Sequence, residues 1–350
     1  METVYIVTGA RGYVGYSVVE QLREQGKTVR AFASPKKDCS HLEKLGATVY
    51  RGDIRKIDTI EPMFEGEDKE FIVIHIAGIV TVETKFNQFV WDINVGGTNN
   101  VIDLCKKYKA KKLVHIGSVD AIPPIDGKVY ADYEKFDPAD VVTVYGKTKA
   151  EAIQNVLKSA KEDGLDACVV LPTAVFGPDD YANGMVSQML SNYAGFWKLP
   201  LIPGGYDFVD VRDLAAGIIS ATENGGKGEV YILCGEYADV ITFINEAREI
   251  RGYHKIHLLL PKEFAKVAGF LAEKFADLTK SSPVFTAYTI DCINSGVRYS
   301  YEKAAKDLGY NPRPRIESVK DMITFMEKEG TIKNTKLHQI RMAVRDILKK

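Results

Sequence analysis

Short apolar runs punctuate this chain, and the stretches between them carry apolar residues at helical spacing. Residues 4–7, 28–33, 47–50, 71–76, 112–116, 167–171 and 229–233 read as strands. Between the first two, Val14, Val18, Val19 and Leu22 set one apolar face on a helix over residues 13–25. Strands that alternate with helices and are mostly apolar throughout predict an α/β fold, a doubly wound parallel sheet covered on both faces. The alternation weakens after residue 171. Residues 172–208 read as loop, broken by Gly177-Pro178, Asn183-Gly184 and Pro203-Gly204-Gly205. A helix over 211–221 and the strand at 229–233 return to the sheet. The expected organisation is a sheet domain of residues 1–171, rejoined by 209–235, with a smaller mixed α/β lobe from 172–208 and 236–330. Residues 331–350 stand apart as an amphipathic helix, with Leu337, Ile340, Val344, Ile347 and Leu348 among Lys and Arg. Such a basic amphipathic helix could lie on an acidic membrane surface, but it is expected to pack on its own domain or on a second copy of the chain, as in a homodimer.

Composition narrows the class. The chain has 350 residues, 45% apolar and 27% charged, enough to bury a full core. A net charge of -1 gives no reason to expect nucleic acid as partner. Cys39, Cys105, Cys168, Cys234 and Cys292 are scattered without a CxxC, which suggests neither a disulfide framework nor a metal site. With no apolar run long enough to span a membrane and no room for a leader before the first strand, the expected place is the reducing cytoplasm.

Two stretches carry chemistry. In TVYIVTGARGYVG, residues 3–15, a strand ends at Thr8 and meets Gly9, Gly12 and Gly15 before a helix opens. Free helix amides and the helix dipole attract a phosphate, and glycines let the backbone touch it. Tyr145 and Lys149 lie four apart at the start of a helix, so they share a face. An ammonium there favours phenolate and makes the tyrosine a usable proton donor and acceptor. Ser118 follows the strand ending His115-Ile116-Gly117, where a hydroxyl could hold a carbonyl oxygen.

TGARGYVG at residues 8–15, Gly52-Asp53-Ile54, His75-Ile76-Ala77-Gly78, Asn94-Val95-Gly96-Gly97-Thr98, Ser118 and YGKTK at 145–149, in that order, resemble the extended short-chain dehydrogenase/reductases. The resemblance runs on through residues 171–178 (LPTAVFGP), 204–213 (GGYDFVDVRD) and 299–312, and so covers about residues 3–328. It implies a Rossmann fold with bound NAD(P) and a Ser-Tyr-Lys site. Tyr145 would be the acid/base, Lys149 would lower its pKa and hold the nicotinamide ribose, and Ser118 would orient the carbonyl. The cofactor would lie on Gly9, Arg11, Gly12, Tyr13, Val14 and Gly15, with Asp53 and Ile54 at the adenine. Ala77, Gly78, Asn94, Pro172, Thr173 and Val175 would flank its centre. Asn94 would either relay protons to Lys149 or bond a distorted helix backbone.

Departures from the family pattern choose a branch. Val119 stands where dehydratases resemble one another in an Asp, and Leu171 and Ala174 stand where nucleotide-sugar enzymes carry Arg and Asn. Both departures are similar to the dihydroflavonol-reductase and 3β-hydroxysteroid-dehydrogenase side, which implies a small or apolar carbonyl substrate. Phe86, Tyr181 and Trp197, with Asp120 as a polar member, are the expected pocket. The second strand ends at Ala33-Ser34 with no acid for a ribose 2′-hydroxyl, whereas Ser34, Lys36 and Arg11 suit a 2′-phosphate. NADP is therefore expected over NAD. The expected function is hydride transfer between NADP(H) and a ketone or aldehyde. Two alternatives remain, a nucleotide-sugar epimerase or dehydratase and a non-catalytic NADP-binding regulator.

Overall fold

The computed structural model describes residues 1–36, 38–66, 68–195, 200–267 and 287–332. Its strands begin with β1 (Glu2–Thr8), β2 (Thr28–Ala33), β3 (Thr48–Arg51), β4 (Lys69–His75) and β5 (Lys112–Ile116). After them come β6 (Val129–Tyr130), β7 (Ala167–Pro172), β8 (Ala174–Phe176), β9 (Gly205–Asp210), β10 (Val230–Leu233), β11 (Tyr237–Asp239) and β12 (Arg298–Tyr299). The seven strands expected from the apolar runs form one sheet in the order β3-β2-β1-β4-β5-β7-β10, and every pairing in it is parallel. The chain steps outward from β1 to β3 and then crosses back to β4. Loops leaving β1 and β4 therefore diverge, and a crevice opens at their carboxyl ends.

Strand periodicity sorts the core into two layers. Val4 and Ile6 face one side with Val101, Ile153 and Val156, while Tyr5 and Val7 face the other with Val18, Leu22 and Leu214. All of these are buried, which is why the runs look continuously apolar rather than alternating.

The stretch read as loop is more regular than its punctuation suggested. Residues 172–208 contain β8, the helix Met185–Tyr193 and most of β9. β9 pairs parallel with β8 and antiparallel with β11, making a second, mixed sheet. A three-residue strand such as β8 is stabilised by partners about thirty residues away, so no local pattern announces it. Beneath this sheet Phe208 stacks on Phe243 at 4.3 Å, and Phe176 meets both rings edge-on at 5.8 and 5.3 Å.

Two arginines finish this lobe. Arg248 and Arg251 are each 1% exposed. Arg248 donates to the carbonyls of Tyr193, Gly195 and His254, and Arg251 donates to that of Ala194 and pairs with Glu327. They supply the donors that the last turn of the helix Met185–Tyr193 lacks. The lobe is tied to the sheet domain by the run of residues 205–213. Asp210 caps the helix Val211–Asn224 and pairs with Arg212, while Arg313 grips Asp213 through two nitrogens. Among the described residues no helix is long and apolar enough to cross a membrane. Phe196, Trp197, Lys37 and residues 333–350, which include nearly all of the expected C-terminal helix, lie outside the described residues.

Arg248→Ala leaves three buried carbonyls without a donor and should cost about 3 kcal/mol. Urea unfolding followed by circular dichroism measures it; a loss well under 1 kcal/mol would refute the stapling role.

Candidate active site

At the carboxyl end of β1 the backbone itself is the binding surface. Gly9 has φ +68, and a Cβ there would stand 2.7 Å from the Ala77 amide nitrogen. A Cβ on Gly15 would strike the Gly9 carbonyl oxygen at 2.2 Å. Gly12 caps the helix Tyr13–Glu24 and no side chain takes up the helix's first amides. These amides are what a phosphate would use.

A directed column of hydrogen bonds runs from this loop to the helix that carries Tyr145. Thr8 Oγ1 receives the amides of Ile76 and Ala77, each at 3.2 Å, and meets His75 Nδ1 at 2.7 Å. His75 Nε2 meets Thr98 Oγ1 at 2.9 Å, and Thr98 donates to the carbonyl of Asn94. Because Thr98 has spent its proton, His75 must carry its own on Nε2 and accept from Thr8 at Nδ1. The ring is neutral, its pKa pulled down to about 3 by burial and by the Lys149 charge. Asn94 lies in a π-helical turn, where its amide grips both polar atoms of the Ile79 backbone and donates to Thr148. Thr148 then donates to the carbonyl of Tyr145. Of the two roles expected for Asn94, these bonds describe the backbone one.

The helix Val144–Lys158 is capped by Thr143, whose hydroxyl takes the Gly146 amide. Gly146 is needed because a Cβ would lie 2.5 Å from the Asp120 carbonyl. This close approach seats the turn of Ser118 against the start of the helix. Ser118, Tyr145 and Lys149 are all buried, and Asp120 is exposed to the crevice. Burial pushes the Tyr145 phenol well up, the Asp120 carboxylate adds to that, and a hydrogen bond with Ser118 works against it. Lys149 Nζ donates to the Ile116 carbonyl at 2.6 Å and stands 5.9 Å from the centre of the Tyr145 ring. Burial holds its pKa down at about 8. The depressed phenol pKa expected from the Tyr145–Lys149 spacing is thus reversed here, since burial and a nearby carboxylate dominate.

The far end of the crevice is cationic. Ser34 and Lys36 are exposed past β2, and Arg11 Nε donates to the Asp38 carbonyl at 3.0 Å. Asp38 is an acid close to this corner, but its carboxylate is occupied by the amide and hydroxyl of Ser40. Asp53 follows β3, where Arg55 engages both its oxygens and stacks on Phe89. Ile54 is buried against Gly97. Thr173 Oγ1, after β7, is buried without a hydrogen-bond partner, and Pro172 and Val175 beside it are half-buried.

Residues 5–234 match the model of the NAD dependent epimerase/dehydratase family. The chain belongs to that family. It is similar, at 26% identity over 93% of its length and 99% of the relative's, to a protein called sterol demethylase protein B in Methylococcus capsulatus. It is 27% identical to 3beta-hydroxysteroid-dehydrogenase/decarboxylase isoform 1 of Arabidopsis thaliana, over 91% of this chain and 78% of that one. Among solved structures, that of gox2253 superposes with a TM-score of 0.80 at 29% identity, covering 94% of this chain and 99% of the other.

As a member of the epimerase/dehydratase family, the protein is an NAD(P)-dependent oxidoreductase of the extended short-chain type. The residues present fit the dinucleotide: a backbone cradle that any Cβ would fill, uncapped helix amides, and an orphaned hydroxyl on Thr173. The pocket residues are not all brought together. Asp120 sits with Ser118 and Tyr145, whereas Phe86 packs on Trp91 and is 66% exposed. Tyr181 lies edge-on to Tyr16 and Phe325, on the seam between the first helix and the helix Arg315–Lys328. Tyr13 turns its buried hydroxyl toward the same seam, near Asp180 and Asp210. Sequence reading missed Tyr206 and Tyr299, whose rings feel the Asp120 charge. Their only signal was an aromatic in GGYDFVD and in the YSYE run, and neither spacing relates them to Ser118.

Asn94→Ala strips the Ile79 backbone and Thr148 of their partners and should destabilise the fold by about 2 kcal/mol. Chemical denaturation checks it. An unchanged midpoint with lost turnover would point to a relay instead.

Proposed function

We propose that the protein interconverts an alcohol and a ketone or aldehyde on an apolar substrate, using NADP(H). The observation that carries this reading is the placing of Ser118 beside Tyr145 at the carboxyl end of β5, with Lys149 behind them and the glycine cradle across the crevice. The nicotinamide supplies or accepts the hydride. Tyr145 gives the oxygen its proton or takes it away, Ser118 fixes that oxygen, and Lys149 keeps a positive charge beside the phenol. Positioning provides most of the rate, since the column from Thr8 to Tyr145 leaves the helix little freedom.

An apolar substrate is supported by Leu171, buried in the core, and by Ala174, which has no donor for a diphosphate. The sterol-related names of the relatives agree with a bulky ring system. The preference for NADP rests on Arg11, Ser34 and Lys36, with the nearby acid Asp38 tied to Ser40.

Tyr145→Phe should lower kcat by about a hundredfold or more while the Kd for NADP stays nearly unchanged. Near-normal turnover would sink the assignment. Arg11→Ala should raise KM for NADPH about tenfold and leave that for NADH within about twofold. Equal effects on both would remove the NADP argument. A panel of aldehydes, ketones, steroids and sugar nucleotides, read by NADPH absorbance, separates the reductase from an epimerase, which would turn over without consuming NADPH.

A further inference from the structure

The turn that carries Ser118 spends most of that residue's hydrogen-bonding capacity internally. A serine hydroxyl has one proton to give and two lone pairs. Here the proton goes to Asp120 Oδ2 at 3.0 Å, and one lone pair takes the Asp120 amide at 3.1 Å. What is left is a single lone pair, so with its proton on Asp120 Ser118 faces the crevice as an acceptor. The groups that face Asp120 are Ser118 in its own turn, Tyr145 from the helix Val144–Lys158, Tyr206 from β9 and Tyr299 from β12. Among the described residues these include no cation.

We propose that Asp120 is a positioning residue that decides whether Ser118 gives or takes a hydrogen bond, and so whether the alcohol or the carbonyl form of the substrate is held. The inference rests on the hydride-transfer reading above. With Asp120 ionised, Ser118 turns its proton away, and the oxygen it suits is one that brings its own proton, an alcohol. A carbonyl oxygen has lone pairs only and then meets one donor, Tyr145. With Asp120 protonated, the carboxyl gives its proton to Ser118 Oγ, and Ser118 gives its own to the carbonyl beside Tyr145. The two states differ by the single proton on Asp120, exchanged with solvent across the open crevice. Burial raises the Asp120 pKa from its ordinary value, opposed by the Ser118 bond, so the exchange lies higher in pH than for a free carboxylate.

The same geometry explains why an acid is tolerated here. Asp120 acts through Ser118, whose direction of hydrogen bonding carries the carboxyl's state of protonation forward. The effect is on binding of the two forms, since forward and reverse reactions share one transition state at any given protonation.

Dead-end complexes test this without turnover. The probes are a 3-ketosteroid bound to the enzyme–NADP+ complex and the matching 3-hydroxysteroid bound to the enzyme–NADPH complex, with each Kd read by equilibrium dialysis as a function of pH. As pH rises through the Asp120 titration, the ratio of ketone Kd to alcohol Kd should rise about tenfold, the effect of one hydrogen bond involving a charged group. In Asp120→Ala the ratio should be flat and close to the low-pH value of the unsubstituted protein; in Ser118→Ala it should be flat as well. A flat ratio in the unsubstituted protein, or an Asp120→Ala protein that keeps the pH dependence, overturns the inference. Failure of the underlying reading shows separately, as turnover that survives in Tyr145→Phe.

Discussion

The hydrogen-bonded column from Thr8 through His75, Thr98, Asn94 and Thr148 to the Tyr145 carbonyl is the constraint on which the rest of the site depends. Every member is buried, and each donor has one acceptor that suits it, so the proton order can run in one direction only. The column crosses β1, β4, the π-helical turn and the helix Val144–Lys158. It therefore couples the floor of the cofactor cradle to the residue that would handle the proton. Losing one member would leave polar atoms stranded in an apolar layer, which is the reason such a network holds one geometry rather than several.

Charge within the site follows from the same burial. Lys149 is a buried ammonium whose partner is a carbonyl rather than a carboxylate, so its pKa falls. His75 and His115 lie near it with tilted rings 5.3 Å apart, and burial together with that ammonium keeps both rings neutral. Asp120 lies at the crevice beside Ser118, and its charge raises the Tyr145 pKa. The Tyr145 hydroxyl pKa is therefore pushed up by burial and the Asp120 charge and held down by the Ser118 bond. The structure resolves them in favour of the neutral phenol, and the position of the cofactor's own charge is what the family's chemistry would add.

The second lobe closes over this arrangement by long-range contacts. Tyr206 and Tyr299 arrive from β9 and β12, and the latter strand also gives its amide to Asp207, whose pKa burial lifts to about 6. Arg212, Arg313 and Asp321 lock the same segment to the helices behind it. The lobe owes its regularity to buried arginines and stacked phenylalanines, neither of which has a local periodicity.

The sequence by itself determined the sheet and the cradle. All seven strands of the parallel sheet were legible because a strand covered on both faces must be apolar throughout, and the glycine spacing was legible because no other residue permits the backbone contacts at Gly9 and Gly15. The order of Ser118, Tyr145 and Lys149 named the candidate chemistry. Tertiary structure alone decided what those groups do to one another. Whether Lys149 or burial with Asp120 governs the Tyr145 phenol, whether Asn94 faces a relay or a backbone, and whether Tyr181 enters the pocket or a seam all turn on distances between elements far apart in the chain. Periodicity reports which face of an element is buried; it carries no information about what is buried against it, and electrostatic effects fall off over a few ångströms that only packing can set.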